Sequence, residues 1–298
     1  MRVFVTGATG FIGLVIVRDL LKAGHQVLGL ARSDAGAQAL TSAGAQVHRG
    51  SLEDLESLRS GAAAVDAVIH TAFIHDFSKF QENCEIDRRA IGALGDALAG
   101  SDRMLIVTSG TAISSAGPGV PATEKDPPVS SQVVPRAATE EAAASVADRG
   151  VRVVTVRLAQ IHDPVKQGFV SYAIQVAREK GVAAYIGDGL NRWPAAHRLD
   201  AAHLYRLALE KGDGGVRYHA VAEEGVPTRE IAAAIGRGLN MPVVSITPEE
   251  ATAYFGWLAP FAAWDMPASS AQTREKLGWN PTEPSLLTDL GNMNYFSA

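Results

Sequence analysis

The first thirteen residues, Met1-Arg-Val-Phe-Val-Thr-Gly-Ala-Thr-Gly-Phe-Ile-Gly13, constrain the fold of this chain more than any other stretch. An apolar run, Val3 to Val5, feeds a glycine-rich turn, and a helix-length apolar segment follows from Phe11 to about Ala23. Gly7 suits a tight turn that a side chain would obstruct. Gly10 lets the main chain approach a pyrophosphate, and Gly13 lets the helix pack on the strand. Unpaired N–H groups at the helix start, backed by the helix dipole, favour a diphosphate there. The glycine spacing alone is a weak pattern. The strand before it and the helix after it supply the context that a dinucleotide site requires.

Gln26 to Ala31 reads as a second buried strand, and its end bears on the cofactor. Folds of this kind that prefer NAD commonly place an acidic residue here for the ribose hydroxyls. This chain has Ala31, Arg32 and Ser33 instead. A guanidinium can grip a 2′-phosphate in bidentate fashion, and no carboxylate stands at that spot to repel it. NADPH is therefore expected to bind in preference to NADH. The plainer reading is a surface ion pair between Arg32 and Asp34.

Further strands are predicted at 46–48, 65–70, 103–108 and 151–157. Helices are predicted at 35–43, after Gly50-Ser-Leu-Glu-Asp54, at 80–99 and at 137–148. Six strands alternating with helices predict an α/β fold, a doubly wound parallel sheet. In such sheets ligands bind beyond the carboxyl ends of the strands. His75, in the loop Thr71 to Phe77, leaves the fourth strand there, and Ser109 and Thr111 leave the fifth. A histidine titrates near neutrality and a hydroxyl can donate to a developing oxyanion, so these three are candidate catalytic residues. A solvated loop histidine is the alternative for His75.

Residues 117–135 contain five prolines and read as a loop over that edge. Beyond Arg157 the alternation breaks and segments shorten. The expected organisation is a dinucleotide-binding domain over 1–157, to which 200–221 returns as a helix and a strand. Residues 158–199 and 222–298 then form a smaller C-terminal substrate lobe. His162, Tyr172 and Tyr185 are further acid–base candidates. Trp193 and the late group Phe255, Trp257, Phe261 and Trp264 read either as a pocket wall or as lobe packing.

The net charge of −5 and a pI near 5.9 give no basic footprint for nucleic acid. With 47% hydrophobic residues and no apolar run near eighteen, a soluble rather than membrane-spanning chain is expected. A strand beginning at the second residue leaves no room for a charged leader, so the cytoplasm is the expected compartment. The single cysteine, Cys84, allows no internal disulfide or cysteine-rich metal site, and Asp188 and Asp200 have no histidine at metal-ligand spacing. No metal is expected, and the expected partner is a small-molecule substrate.

With those residues placed, the chain resembles the extended short-chain dehydrogenase/reductase superfamily, of the NAD-dependent epimerase/dehydratase kind, over nearly its whole length. Thr6-Gly-Ala-Thr-Gly-Phe-Ile-Gly13 is similar to that family's nucleotide loop. Gly50-Ser-Leu-Glu-Asp54, Val68-Ile-His-Thr-Ala72 and Val107-Thr-Ser-Gly110 match its later turns and strands. So do Arg157 with His162-Asp-Pro164, Arg198 to His203, and Lys276-Leu-Gly-Trp-Asn-Pro281. The resemblance implies a Rossmann fold with cofactor contacts from Gly7, Thr9, Gly10, Phe11, Ile12 and Gly13. It adds Arg32, Ser33, Ser51 and Leu52 on the adenosine side. On the nicotinamide side it implies Thr71, Ala72, Phe73, Thr108, Ser109 and Arg136. It also implies a homodimer, through the helices at 80–99 and 137–148, the second rich in small residues.

The catalytic pattern departs from the family. Its members use a tyrosine four residues before a lysine, and this chain contains no Tyr-x-x-x-Lys. Counting back from the sixth strand puts Arg136 at the tyrosine position and Glu140 at the lysine position, and the usual serine falls near Gly110. This is the atypical branch of the family. Arg136 stays protonated and cannot act as a general base, although it can hold a phosphate or polarise a carbonyl. Glu140 reads more plainly as a first-turn residue favoured by the helix dipole. The expected activity is an NADP(H)-dependent oxidoreductase acting on a small organic carbonyl-type substrate through a non-standard proton donor. The alternatives are a dinucleotide-binding sensor without turnover and, less favoured, a sugar-nucleotide epimerase or dehydratase.

Overall fold

Val3, Phe4 and Val5 of the opening strand are fully buried because both of its faces are covered. Strand side chains alternate, so Val3 and Val5 enter one apolar core and Phe4 enters a second on the opposite face of the sheet. The computed structural model describes residues 1–114, 116–117 and 119–295. Its first half runs β1 (Arg2–Thr6), α1 (Gly13–Lys22), β2 (Gln26–Ala31), α2 (Asp34–Ala43), β3 (Gln46–Arg49), α3 (Leu55–Ala63) and β4 (Ala67–His70). It continues through α4 (Phe80–Leu98), β5 (Met104–Gly110), α5 (Ala138–Asp148) and β6 (Arg152–Leu158). These elements lie within a few residues of the sequence expectation.

The second half is more broken. It contains β7 (Gln160–His162), α6 (Gly168–Lys180), β8 (Ala183–Ile186), β9 (Arg192–His197), α7 (Arg198–Lys211), β10 (Arg217–Ala220) and β11 (Glu223–Pro227). Then come α8 (Thr228–Leu239), β12 (Val243–Ile246), α9 (Ala251–Phe255), α10 (Ala259–Ala263), α11 (Ala271–Leu277) and α12 (Leu286–Asn292). The central sheet has the order β3-β2-β1-β4-β5-β6-β10, with every neighbouring pair parallel. The strand order reverses between β1 and β4, where Thr6 stands in register with His70. A crevice for a ligand opens at the carboxyl side of such a reversal.

Two small sheets, β11-β9-β7 and β12-β8, belong to the later segments. With α6, α8 and α12 they enclose a separate core that includes Val170, Ile174, Trp193, Ile231 and Leu286. Leu277 and Trp279 join the core of the central sheet instead, and the Trp279 indole donates to the Asp200 carbonyl at 3.0 Å. On α5, Ala142 and Ala143 are buried within this chain's own core and Ala138 is fully buried, as is Ala137 just before the helix, so these residues carry no argument for contact between copies. Among the described residues no helix is long and apolar enough to cross a membrane.

Candidate dinucleotide and substrate site

The glycine-rich turn is held together by backbone proximity. Gly7 has φ +65°, and a Cβ there would lie 2.7 Å from the Ala72 nitrogen; a Cβ on Gly13 would lie 2.0 Å from the Gly7 carbonyl oxygen. Glycine at both positions therefore lets β1, α1 and the β4 loop converge. Gly10 differs, since its Cβ would meet only the Gly7 oxygen, at 3.1 Å. Thr9 and Gly10 are exposed, and Phe11 and Ile12 are half-buried behind them. Helix α1 starts with no capping side chain and no acidic residue in its first turn, whereas Ser33 caps α2 and Asp54 caps α3. An uncapped helix start beside an open glycine has donors to offer an anion. These residues fit a dinucleotide pyrophosphate.

Two cations that the sequence reading did not place at the cofactor site reach this loop from the later segments. The Lys166 ammonium lies 5.8 Å and the Arg198 guanidinium 5.0 Å from the centroid of the Phe11 ring. Arg198 also pairs with Asp163 at 2.8 Å. Both residues lie more than 150 positions from Phe11, so no local pattern could have assigned them.

At the end of β2, Asp34 pairs with Arg49 of the adjacent strand rather than with Arg32. Arg32 is exposed and has no ion-pair or hydrogen-bond partner among the described residues. Ser33 accepts from the Gly36 amide at 3.2 Å, and Ser51 accepts from the Asp54 amide at 3.2 Å. Leu52 packs against the core beneath α3.

A buried polar chain crosses the strand-order reversal. Thr6 Oγ1 and His70 Nδ1 are 2.7 Å apart, and His70 Nε2 lies 3.0 Å from Asp87 Oδ1. Asp87 Oδ2 accepts from Arg136 at 2.8 Å and from the Thr139 hydroxyl. Arg136 also donates to the Thr108 carbonyl at 3.0 Å and lies 4.2 Å over the Phe73 ring. Burial alone would raise the Asp87 carboxyl; Arg136 first, then His70 and Thr139, hold it below the usual aspartate range. Thr108 in turn shares a 2.6 Å hydrogen bond with Tyr205, whose phenol burial pushes up. Thr71 donates to the Thr6 carbonyl at 2.7 Å, and Ala72 donates to the Thr6 hydroxyl at 3.4 Å, which ties the β4 loop to β1. Arg136 at the tyrosine position is thus already committed to an anion of its own chain. Asp87, the residue that commits it, was not singled out from sequence, because nothing in the pattern of α4 distinguishes one inward aspartate.

Glu140 is no simple first-turn residue. It accepts from Arg157 at 2.7 and 2.9 Å and from Arg217 at 2.9 Å, and Arg157 is completely buried. Burial would raise the Glu140 carboxyl, but the two guanidinium groups hold it below the usual glutamate range. The pair that the family fills with tyrosine and lysine is here an arginine and a glutamate, each in its own ion pair.

The three acid–base candidates do not hydrogen-bond to one another. Ser109 is buried and its hydroxyl has no hydrogen-bond partner among the described residues. The Thr111 hydroxyl points to the Leu158 carbonyl at 3.5 Å. His75 is exposed, with its ring edge-on to Phe73 at 5.3 Å. Partial loss of water, then the charges of Arg136 and Lys166, lower the His75 pKa, and the Phe73 ring touches both His75 and the Arg136 guanidinium. His162 is fully buried and joined to Asp289 at 2.7 Å, so it serves the packing of α12. Trp193 is lobe core, and Tyr185 lies half-buried on β8. Among the described residues no group of three histidine, cysteine or carboxylate side chains is arranged to hold a metal.

The model of the NAD dependent epimerase/dehydratase family matches residues 3–222. A protein of Schizosaccharomyces pombe described only as uncharacterized is 50% identical over 297 residues, covering 99% of this chain and 100% of its own length. A second uncharacterized protein, from Saccharomyces cerevisiae, is 44% identical, with 97% and 98% of the two chains covered. More distant relatives include an epimerase, three reductases and a dehydrogenase. Among solved structures, the UDP-glucose 4-epimerase of Thermus thermophilus in complex with NAD superposes with a TM-score of 0.77. It is 22% identical, with 100% of each chain covered.

Proposed function

Because the chain belongs to the NAD-dependent epimerase/dehydratase family, we propose that it is an NADP(H)-dependent oxidoreductase acting on a small organic carbonyl-type substrate. The observation that carries the choice of cofactor is Arg32, a guanidinium without a partner among the described residues at the end of β2, with Asp34 drawn away by Arg49. Gly7, Thr9, Gly10, Phe11, Ile12 and Gly13 would hold the pyrophosphate, with Lys166 adding positive charge from across the crevice. Arg32 and Ser33 would meet the 2′-phosphate, Ser51 and Leu52 the adenine, and Thr71, Ala72, Phe73, Thr108 and Ser109 the nicotinamide side. When bound, the nicotinamide supplies or accepts the hydride.

The chain's own residues then position the substrate oxygen and handle its proton. Arg136, held by Asp87 and the Thr108 carbonyl, presents a fixed positive charge that favours a developing oxyanion. Ser109 and Thr111 offer hydroxyl donors at the end of β5. His75 supplies the proton when it is protonated, which its lowered pKa restricts to the acid side of neutrality. A second reading, a sensor without turnover, is favoured by the commitment of both Arg136 and Glu140 to internal ion pairs. The same observation counts against an epimerase or dehydratase, whose reaction begins with removal of a hydroxyl proton that a protonated arginine cannot take.

Titration of the protein with NADPH and NADH tests the cofactor. NADPH should bind more tightly, and Arg32→Ala should narrow the gap by about 1–3 kcal/mol, the range for a charge-assisted hydrogen bond. Equal or tighter binding of NADH by the parent protein would sink the reading.

A further inference from the structure

Only 6% of the residues are aromatic, yet many of them gather along one line. The line starts at Phe73, beneath the Arg136 guanidinium, and passes through His75 to Phe77 in the loop between β4 and α4. There it crosses to the lobe. Phe77 stacks on Trp257 with centroids 4.5 Å apart and planes 14° from parallel, and it meets Tyr172 edge-on at 6.0 Å. Phe169 and Phe261 continue the wall, 4.7 Å apart.

Three features separate this wall from ordinary core packing. Trp257 is 45% exposed although it stacks on Phe77, whereas Trp193 in the lobe core is 3% exposed. A large aromatic left half in water at a crevice has an open face to offer a ligand. Neither the Tyr172 hydroxyl nor the Trp257 indole N–H has a hydrogen-bond partner among the described residues. Finally, the guanidinium groups beside the wall are neutralised. Arg192 is held by both oxygens of Asp265, at 3.0 and 2.8 Å, and Arg136 by Asp87. The diphosphate of a sugar nucleotide needs paired free cations; these two guanidinium groups are taken by carboxylates, and Lys166 lies against Phe11 of the glycine-rich loop.

We propose that the substrate side of the crevice accepts an uncharged, planar aromatic carbonyl compound, its ring packed on the exposed face of Trp257 and its carbonyl directed toward Arg136. This deepens the oxidoreductase reading and rests on it. The aromatic wall supplies apolar area and ring stacking, and the Tyr172 and Trp257 donors suit a neutral acceptor.

Calorimetric titration of the NADP⁺-saturated full-length protein with 2-naphthaldehyde and with UDP-glucose tests this. NADP⁺ prevents reduction of the aldehyde during the measurement. Saturable binding of naphthaldehyde is expected, weakened about tenfold by Trp257→Ala and largely kept by Trp257→Phe, because the ring and not the indole N–H provides most of the contact. Because Trp257 is exposed, both variants should fold, which circular dichroism would check. Tighter binding of UDP-glucose than of naphthaldehyde, or unchanged naphthaldehyde affinity in Trp257→Ala, would overturn the proposal. The NADPH and NADH titrations fail or succeed independently. Loss of the NADPH preference with naphthaldehyde binding intact strikes the cofactor reading alone, and the converse strikes the substrate class alone.

Discussion

Glu140→Gln removes one negative charge from a site where a completely buried guanidinium depends on it. In the parent, Arg157 donates to both carboxylate oxygens, at 2.7 and 2.9 Å, and its other contacts are the Asp126 carbonyl at 3.0 Å and His219 Nε2 at 3.5 Å. The glutamine amide keeps one acceptor but turns a donor toward the guanidinium, so a buried charge is left without a counterion. Breaking a buried ion pair from one side costs about 3–5 kcal/mol. Arg217 adds little to that figure, because its side chain is a third exposed and water screens it. For a chain of 298 residues the loss corresponds to a melting point roughly 5–8 °C lower.

The assay is thermal and urea unfolding of parent and variant across pH. The Glu140 pKa is lowered in the folded state, so its contribution is present above the unfolded value of about 4.3 and fades as pH falls through the lower folded value. The difference between the two proteins should therefore stay flat from about pH 8 to pH 5 and shrink only below about pH 4. Replacing the pair together, Glu140→Leu with Arg157→Met, should recover much of the loss, since no charge is then stranded. A Glu140→Gln protein within about 1 kcal/mol of the parent at neutral pH would refute the reasoning, because it would mean that water reaches Arg157.

Three further outcomes follow from the titrating histidines. Burial, the largest cause, pushes His219 down to about 4 from its ordinary 6.5, so the unfolded chain takes up a proton that the folded chain refuses between those values. Stability should fall as pH drops from about 6.5 toward 4, and His219→Gln should flatten that slope; an unchanged slope would place the titration elsewhere. If His75 supplies the proton, His75→Ala should lower turnover at least about tenfold, within reach of the roughly 10²–10⁴ expected of a general acid, with NADPH affinity nearly unchanged. Lys166→Met removes a neighbouring positive charge, so it should raise the His75 pKa and move upward the pH at which turnover falls away. Full activity of His75→Ala on an identified substrate would leave His75 a loop residue.

The strands and helices of the first 157 residues were legible because their signals are local. A strand buried on both faces must be an unbroken apolar run, as Val3 to Val5 and Ala67 to Ile69 are, and Gly7 must be glycine where φ is positive. The glycine-rich turn was legible for the same reason, since its glycines and the following helix are contiguous. The short strands after Leu158 carried too few residues to show a period, and only pairing between distant segments makes them strands. Partnership was the part that tertiary structure alone decided. Asp34 had two arginines within reach, and the register of β2 with β3 brings it Arg49 rather than Arg32. Arg136 and Glu140 stand in one helical turn and are visibly not a tyrosine and a lysine. That one is neutralised by Asp87, 49 residues earlier, and the other by Arg157 and Arg217 depends on how α4, α5, β6 and β10 pack. Charges and rings interact over a few ångströms of space whatever their distance along the chain, so the counterion of Arg136 and the stacking of Phe77 on Trp257 follow from the fold and from no pattern of residues.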